Sequence, residues 1–261
     1  MINVQLLNSY IKHWLTAKTR HGTHSPFVYK LVDEVIYDYS PRDDFHEIEQ
    51  LRKHLLSDER YITITDLGAG SHVNNNKRKQ VKQLAKNALK PSRLAQLIYR
   101  LSNDLNPQNI IELGTCLGLT TSYLARSAPK GKIISIEGCP QTAAIARENL
   151  NKLRVSNSTI LTGDFDTVLP EVLSGINELD FVFIDGNHRK QATLDYFNLC
   201  LPKVHEGSLL IFDDIYWSKG MQEAWDEIKA HPQVTVTVDL FWIGLVYFRG
   251  GQVKEDFKIK F

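Results

Sequence analysis

Acidic side chains and a histidine directly follow two hydrophobic runs in the C-terminal half of the sequence. Asp185 and His188 come after Phe181–Ile184, and a second run is followed by Asp213 and Asp214. Carboxylate oxygens are the ligands that hard divalent cations prefer, and a neutral histidine can take up a proton near pH 7. If the two runs are neighbouring strands, ~5 Å apart, Asp185, Asp213 and Asp214 could share Mg²⁺ or another divalent cation. We therefore expect His188 and Asp185 to be catalytic, with helix capping and strand-end solvation as the alternative roles.

A turn with two glycines lies upstream of these acids. Gly114 follows the run Asn109–Leu113 and allows a ligand to approach the backbone closely. Gly118 lets the next helix begin near that ligand, where its free N–H groups point outward. Glu137 ends the following run and could accept both hydroxyls of a ribose. Asp164 ends the third run and could accept a hydrogen bond from an adenine amino group, cap the next helix, or do both.

The elements that would position these residues follow from an alternation of two patterns after residue 108. Short β-branched runs alternate with amphipathic segments, which predicts βαβ units and a parallel sheet. The predicted strands are Asn109–Leu113, Lys132–Glu137, Thr159–Thr162, Phe181–Ile184 and Ser208–Phe212, and the predicted helices include Thr142–Leu153 and Met221–Lys229. Two further runs, Val234–Leu240 and Ile243–Arg249, are almost contiguous and predict an antiparallel hairpin at one sheet edge.

The first hundred residues have a mainly helical pattern. Apolar residues recur at helical spacing at Leu6, Leu7, Tyr10, Ile11, Trp14 and Leu15. Ser25 and Pro26 mark the start of another helix, because serine caps helices and proline suits the first helical position. The first helix could lie on a membrane surface, since Lys12, Lys18 and Arg20 are nearby. Packing on the core or on a second subunit is the preferred interpretation, and a homodimer stays open.

The amino-acid composition is typical of a globular protein. Its 261 residues are 43% hydrophobic and 23% charged, as in soluble globular proteins. No apolar run approaches the ~18 residues that a membrane span needs, and a secretory leader pattern is absent. The three cysteines are widely spaced, so we expect neither a disulfide framework nor a cysteine metal site, and we expect a cytoplasmic location.

Positive charge is concentrated between His72 and Asn103, which contain eight Lys or Arg and no acid. A solvated helix face is the simpler interpretation, and a surface that attracts an anionic acceptor is the alternative. A nucleic-acid methyltransferase using the basic 77–100 region is one alternative function. Enzymes that methylate exocyclic amines of nucleic acids usually have a motif similar to N-P-P-Y or D-P-P-Y at the end of the fourth strand. This chain has D-G-N-H there, so the sequence disfavours nucleic acid as a partner. Cys139-Pro140 resembles a cytosine-attacking dipeptide but is out of place for that role, and we interpret it as a helix start.

These pieces, in this order and spacing, resemble the class I S-adenosylmethionine-dependent methyltransferases. The strings E-x-G-x-x-x-G-x-T and F-I-D-G-N-H are similar to those of the small-molecule O-methyltransferases related to catechol and caffeoyl-CoA O-methyltransferases. The resemblance covers about residues 105–250 and implies a Rossmann-like, seven-stranded, mostly parallel sheet with an antiparallel C-terminal hairpin. It implies a cofactor, S-adenosyl-L-methionine, bound by Glu112, Gly114, Thr115, Gly118, Glu137, Gly138, Asp164 and Asp185.

Two positions depart from the family pattern. The metal-dependent members hold their cation with acids at the positions of Asp185 and Asp213 and with an amide where this chain has Asp214. The family's catalytic lysine falls at His188, which is a chemically sensible base.

A second glycine motif, within Ile62–Ser71, also resembles a methyltransferase cofactor loop. His72 stands where a third glycine belongs, and the strand ending in an acid that should follow is missing. We interpret the motif as a turn and loop outside the cofactor site, and as a hypothesis it folds over the acceptor.

The sequence therefore predicts two regions, a mainly helical extension over 1–104 and a methyltransferase core over 105–261. The expected activity is O-methylation of a small-molecule hydroxyl acceptor, assisted by a divalent cation where one binds. A nicotinamide-dependent enzyme is disfavoured by the glycine spacing. The remaining alternative is a binding protein that keeps the cofactor fold but has no catalytic activity.

Overall fold

The computed structural model describes residues 4–65 and 78–261. The glycine motif at Gly68 and Gly70 lies outside the described residues. The chain divides into two compact units, a central unit of residues 39–175 and a terminal unit of residues 1–38 and 176–261. A domain boundary at 104/105 stays a prediction. Among the described residues, every helix is too short or too polar to cross a membrane.

The central unit alternates strands and helices after an initial helical part. Its helices are α3 (Asp43–Leu55), α4 (Val81–Ala88), α5 (Ser92–Leu105), α6 (Leu119–Ser127), α7 (Pro140–Lys152) and α8 (Phe165–Ser174). Its strands are β1 (Tyr61–Thr63), β2 (Arg78–Gln80), β3 (Asn109–Leu113), β4 (Lys132–Glu137) and β5 (Ser158–Thr162). The strands β1 and β2 form a small antiparallel pair.

The terminal unit contains both chain ends. Its helices are α1 (Val4–Thr16), α2 (Pro26–Lys30), which continues as a π-helical turn over Leu31–Ile36, α9 (Lys190–Cys200) and α10 (Lys219–Ala230). Its strands are β6 (Phe181–Ile184), β7 (Leu209–Asp213), β8 (Val236–Asp239), β9 (Ile243–Tyr247) and β10 (Glu255–Lys258). The Ser25 side chain caps α2 through the backbone N–H of Val28, as predicted.

The main sheet has eight strands in the order β10-β8-β9-β7-β6-β3-β4-β5. Strands β3, β4 and β5 pair in parallel, and so do β6 and β7. Strand β9 is antiparallel to both β7 and β8, which confirms the predicted hairpin. The α/β, mostly parallel fold class is confirmed, with one correction to the expected seven strands. The additional strand β10 pairs in parallel with β8 at the sheet edge.

Buried apolar residues hold each part of the sheet in place. Strands β6, β7, β8 and β9 are buried at every position, as expected for strands covered on both faces. In the central unit, Phe45 and Ile48 of α3 pack with Tyr99 of α5 and Tyr123 of α6. This packing forms an apolar core of the central unit.

Candidate active-site residues

The glycine turn of the central unit has an unusual backbone. Between β3 and α6, Gly114, Cys116 and Gly118 have φ values of 102°, 49° and 77°. The N–H groups of Gly114 and Thr115 both donate to the carbonyl of Ile136, at 2.9 and 3.3 Å. A Cβ on Gly118 would lie 3.2 Å from the Cβ of Ala146 on α7. Glycine is therefore required at 118 both for its backbone conformation and for close packing of the turn on α7.

Glu112 lies beneath this turn and is fully buried. Its Oε2 accepts hydrogen bonds from the hydroxyls of Thr121, at 2.5 Å, and Ser135, at 2.6 Å. The Ser135 and Thr115 hydroxyls lie 2.5 Å apart, which extends the network into the turn. The geometry gives Glu112 a positioning role, since it ties β3, β4 and α6 together. The sequence analysis missed Ser135 and Thr121, although a serine inside the apolar run of β4 is a usable signal.

The Glu137 carboxylate is held at the same turn. Its Oε2 accepts the N–H of Cys116, at 2.8 Å, and its Oε1 accepts the N–H of Cys139, at 2.9 Å. Glu137 and the adjacent Gly138 are both half-buried. A carboxylate oxygen has two lone pairs, so each oxygen can accept another donor while keeping its backbone contact. The structure thus fixes the orientation of the predicted ribose-binding acid through its own main chain.

Asp164 caps the helix that follows β5. Its side chain accepts the N–H of Asp166 at 3.0 Å, at the start of α8. The capping role that the sequence offered is confirmed, and a contact with adenine stays a prediction.

Cys139 and Pro140 begin α7, which confirms their interpretation as a helix start. The Cys139 thiol donates to the carbonyl of Thr63 and accepts the N–H of Thr65, at 3.5 and 3.4 Å. Gln141 accepts the N–H of Thr63 at 2.6 Å. These contacts were not predicted from the sequence. They connect β1 and the residues after it to the start of α7 and to Cys139, which lies two residues after Glu137.

In the terminal unit, Asp185, His188 and Asp213 form the acid–histidine cluster. One potential ligand atom from each residue lies within 4.8 Å of the others. Asp213 is 2% exposed, whereas Asp185 and His188 are half-buried. The His188 Nε2 lies 3.8 Å from an Asp185 oxygen. Nitrogen and oxygen donors so close together can bind one divalent cation.

Asp214 contacts the acid–histidine cluster but is not a member of it. Its Oδ2 lies 3.7 Å from the His188 Nε2. Its backbone, with φ at 54°, donates to the carbonyl of Trp242 at 2.8 Å. Among the described residues, the potential ligand atoms of Asp185, His188 and Asp213 lie together, and a metal-binding role of Asp214 stays a prediction. The left-handed turn at 214 directs this carboxylate to the histidine.

A left-handed residue also positions His188. Asn187, with φ at 51°, donates its side-chain amide to the Tyr196 hydroxyl at 2.9 Å. Its carbonyl accepts the N–H of Arg189. Asparagine tolerates this backbone conformation better than most residues, so Asn187 fixes the direction from which His188 reaches the acids. The sequence analysis did not assign this role to Asn187.

A buried polar network supports the segment that follows Asp214. Asp239 accepts a hydrogen bond from the Tyr216 hydroxyl at 2.7 Å and lies 3.0 Å from the His13 Nε2. Burial alone would raise the pKa of Asp239, but its contacts with His13 and Tyr216 hold that pKa below its usual range. Burial, together with the neighbouring Asp239 charge, raises the pKa of Tyr216. The network joins α1, β8 and the segment after β7.

In the described part of the basic segment, residues 78–103, several charged side chains have partners within the chain. Arg100 is 3% exposed, Lys82 pairs with Glu59 at 2.8 Å, and the Arg78 guanidinium stacks on Tyr61. Intramolecular partners thus take up several of the charges, which favours the structural interpretation of this segment.

A family model described as "Methyltransferase domain" matches residues 111–215, which include the glycine turn and the acid–histidine cluster. These residues are thus similar to a methyltransferase domain. Catechol O-methyltransferase of Niastella koreensis is 33% identical over 111 residues, covering 41% of this chain and 49% of the relative. Catechol O-methyltransferase of Mycobacterium tuberculosis is 27% identical over 132 residues, covering 50% of this chain and 58% of the relative. The chain thus spans about half the length of these curated relatives.

A solved structure shares the fold of this chain. The O-methyltransferase from Bacillus cereus in complex with SAH superposes with a TM-score of 0.56 at 19% identity, covering 85% of this chain and 99% of that one. The predicted resemblance to S-adenosylmethionine-dependent O-methyltransferases is thereby supported at the level of the domain and its fold.

Proposed function

We propose that this chain transfers a methyl group from S-adenosylmethionine to a hydroxyl oxygen of a small-molecule acceptor. The methyltransferase domain and the two catechol O-methyltransferase relatives support this activity. The structural observation that carries the proposal is the Glu137 carboxylate, fixed by the Cys116 N–H beside the left-handed turn. The bound cofactor supplies a methyl group activated on a sulfonium.

The central unit would hold the cofactor. Glu137 keeps lone pairs for the ribose hydroxyls, and its two backbone contacts stop the side chain from rotating away. Gly114 and Gly118 would let the cofactor approach the main chain. Asp164 would accept a hydrogen bond from the adenine amino group while its side chain caps α8. Glu112 acts from beneath, because its buried hydrogen bonds fix the turn.

The acid–histidine cluster would act on the acceptor. His188 would take the proton of the acceptor hydroxyl at Nε2 while the oxygen bonds to the methyl carbon. The carbon–sulfur bond would break, and its electron pair would go to sulfur, which leaves as S-adenosylhomocysteine. Carboxylates of Asp185 and Asp214 lie 3.8 and 3.7 Å from that nitrogen and stabilise the protonated imidazole. These two contacts support His188 as the general base.

The two carboxylates beside His188 fit a divalent cation. Asp185 and Asp213 offer carboxylate oxygens within 4.8 Å of one another. A cation there would lower the pKa of a bound hydroxyl. Nε2 cannot bind metal and accept a proton at once, so in a metal-bound enzyme the two carboxylates are the expected ligands and His188 remains the base.

The direct test is formation of S-adenosylhomocysteine from S-adenosylmethionine with catechol as the probe acceptor. We expect turnover by the wild-type chain and a loss of about 10²-fold or more in His188→Ala. Glu171→Gln, an exposed residue on α8, is the matched control and should keep full activity. Full activity of His188→Ala would remove the histidine from the mechanism, and persistence of activity in excess chelator would remove the cation.

Two alternatives give different results in the same experiments. A nucleic-acid methyltransferase would shift duplex DNA or RNA in a gel, with an affinity that falls steeply with salt. A non-catalytic cofactor-fold protein would release no S-adenosylhomocysteine with any acceptor.

A further inference from the structure

Helix α1 presents its apolar side to solvent. Leu7, Tyr10, Ile11, Trp14 and Leu15 follow the spacing of one helix face and are 45%, 40%, 48%, 53% and 70% exposed. We call these five residues the α1 apolar face. His13, by contrast, is the buried side chain of this helix, at 4% exposure. The helix is therefore inverted relative to the usual pattern, in which apolar residues face the core.

Polar contacts, together with the packing of Tyr10 on Phe241, attach the helix to the terminal unit. His13 meets the buried Asp239, and the residues after the helix pair with the last strand. The N–H of Lys18 donates to Lys258 at 2.8 Å, and the N–H of Lys260 donates to Lys18 at 2.9 Å. These contacts hold α1 at a fixed orientation, with the α1 apolar face directed outward.

A further aromatic side chain enlarges this surface. The Tyr10 and Trp242 rings lie 6.3 Å apart, and Trp242 is 42% exposed. Phe241, which is buried, supports Tyr10 from below at 5.0 Å. An exposed cluster of tryptophan, tyrosine and leucine side chains on a fixed support is typical of a binding surface.

Lysine side chains lie beside the α1 apolar face. Residues 1–32 contain four Lys or Arg and no acid. Lys12 is exposed on α1, Lys18 is exposed just after it, and the Lys260 ammonium lies 4.3 Å from the centre of the Trp14 ring. Arg20 and Lys30, by contrast, are paired with Asp33 and Glu34. The α1 apolar face is thus bordered by three lysines.

We propose that the α1 apolar face binds an anionic lipid surface. A helix lying in a bilayer interface inserts tryptophan and leucine side chains between headgroups while flanking lysines contact anionic lipids. A second copy of this chain would instead bring a like-charged lysine border against its own. Charge complementarity therefore selects the lipid surface over the homodimer as the occupant.

The test is sedimentation of the full chain with lipid vesicles. We expect binding to phosphatidylcholine vesicles containing about one third phosphatidylglycerol, weak binding to pure phosphatidylcholine, and loss of binding in about 1 M salt. The double variant Trp14→Gln/Leu15→Gln should bind about tenfold less or weaker. Val253→Gln, which changes an apolar residue of 82% exposure away from α1, should bind like the wild type.

Several results would overturn the proposal. One is a wild-type chain that stays in the supernatant with anionic vesicles at low salt. Another is a Trp14→Gln/Leu15→Gln variant that retains its circular dichroism spectrum and binds as tightly as the wild type. A third is a wild-type dimer in sedimentation velocity that this double variant converts to a monomer, since the α1 apolar face would then join two copies of the chain.

Discussion

Replacing Gly118 with alanine tests the glycine turn. An L-residue at its φ of 77° costs about 1–2 kcal/mol. The added Cβ would also lie 3.2 Å from the Cβ and 3.3 Å from the carbonyl oxygen of Ala146, and such overpacking costs about 1–3 kcal/mol. We therefore expect Gly118→Ala to lower the free energy of unfolding by about 2–5 kcal/mol and to weaken S-adenosylmethionine binding.

The matched control for this variant is Gly251→Ala. Gly251 has a similar φ of 69°, but a Cβ there would meet nothing within 4 Å. This variant should lose only the backbone term, about 1–2 kcal/mol, and keep its cofactor affinity. Urea unfolding followed by circular dichroism measures the free energies, and calorimetric titration measures the affinity. Equal stability losses in Gly118→Ala and Gly251→Ala would refute the crowding argument, and an unchanged affinity of Gly118→Ala would refute the placement of the cofactor.

Three further predictions concern buried polar groups. Ser135→Ala should lower the free energy of unfolding by about 1–3 kcal/mol, because it removes a hydrogen bond to the buried Glu112 carboxylate; urea unfolding checks this. Asn187→Ala should reduce kcat more than KM in the catechol assay, because His188 loses its fixed direction; equal changes in both would contradict it. The pKa of Asp239 is lower in the folded than in the unfolded chain. The ionised Asp239 therefore stabilises the fold above its unfolded pKa, and this stabilisation is lost as the pH falls through its folded pKa. The free energy of unfolding should accordingly fall as the pH drops below the ordinary aspartate range. In Asp239→Asn the pH dependence of unfolding should be shallower over that acidic interval.

The sequence predicts those elements that local patterns determine. The bounds of β3, β4 and β6 agree with the runs Asn109–Leu113, Lys132–Glu137 and Phe181–Ile184, because buried parallel strands are continuous apolar runs. The capping of α2 by Ser25 also depends on neighbouring residues alone. Such features require no knowledge of distant partners.

Features that depend on distant pairing escaped the sequence analysis. Strand β10, Glu255–Lys258, has no apolar run, and it pairs with β8 and with the segment at Lys18. His13 meets Asp239 across 226 residues of sequence, a contact that the spacing of α1 alone does not predict. The helical pattern predicted α1 itself, but the outward direction of its apolar residues follows only from that long-range polar contact.

The acid–histidine cluster shows the same limit at shorter range. Strand ends placed Asp185 and Asp213 correctly near one another. The choice between Asp214 and His188 as the third member depended on the left-handed turns at Asn187 and Asp214, which redirect both side chains. Residue types alone do not specify those directions.

Calorimetric titration with S-adenosylmethionine tests the central claim most directly, that the turn at Gly114–Gly118 and Glu137 bind the cofactor. The wild-type chain should bind, Glu171→Gln should bind equally well, and Glu137→Gln should bind about tenfold less or weaker, because the carboxylate loses charge and hydrogen-bond acceptors. Unchanged binding by a folded Glu137→Gln variant, or no binding by the wild type, would contradict this account.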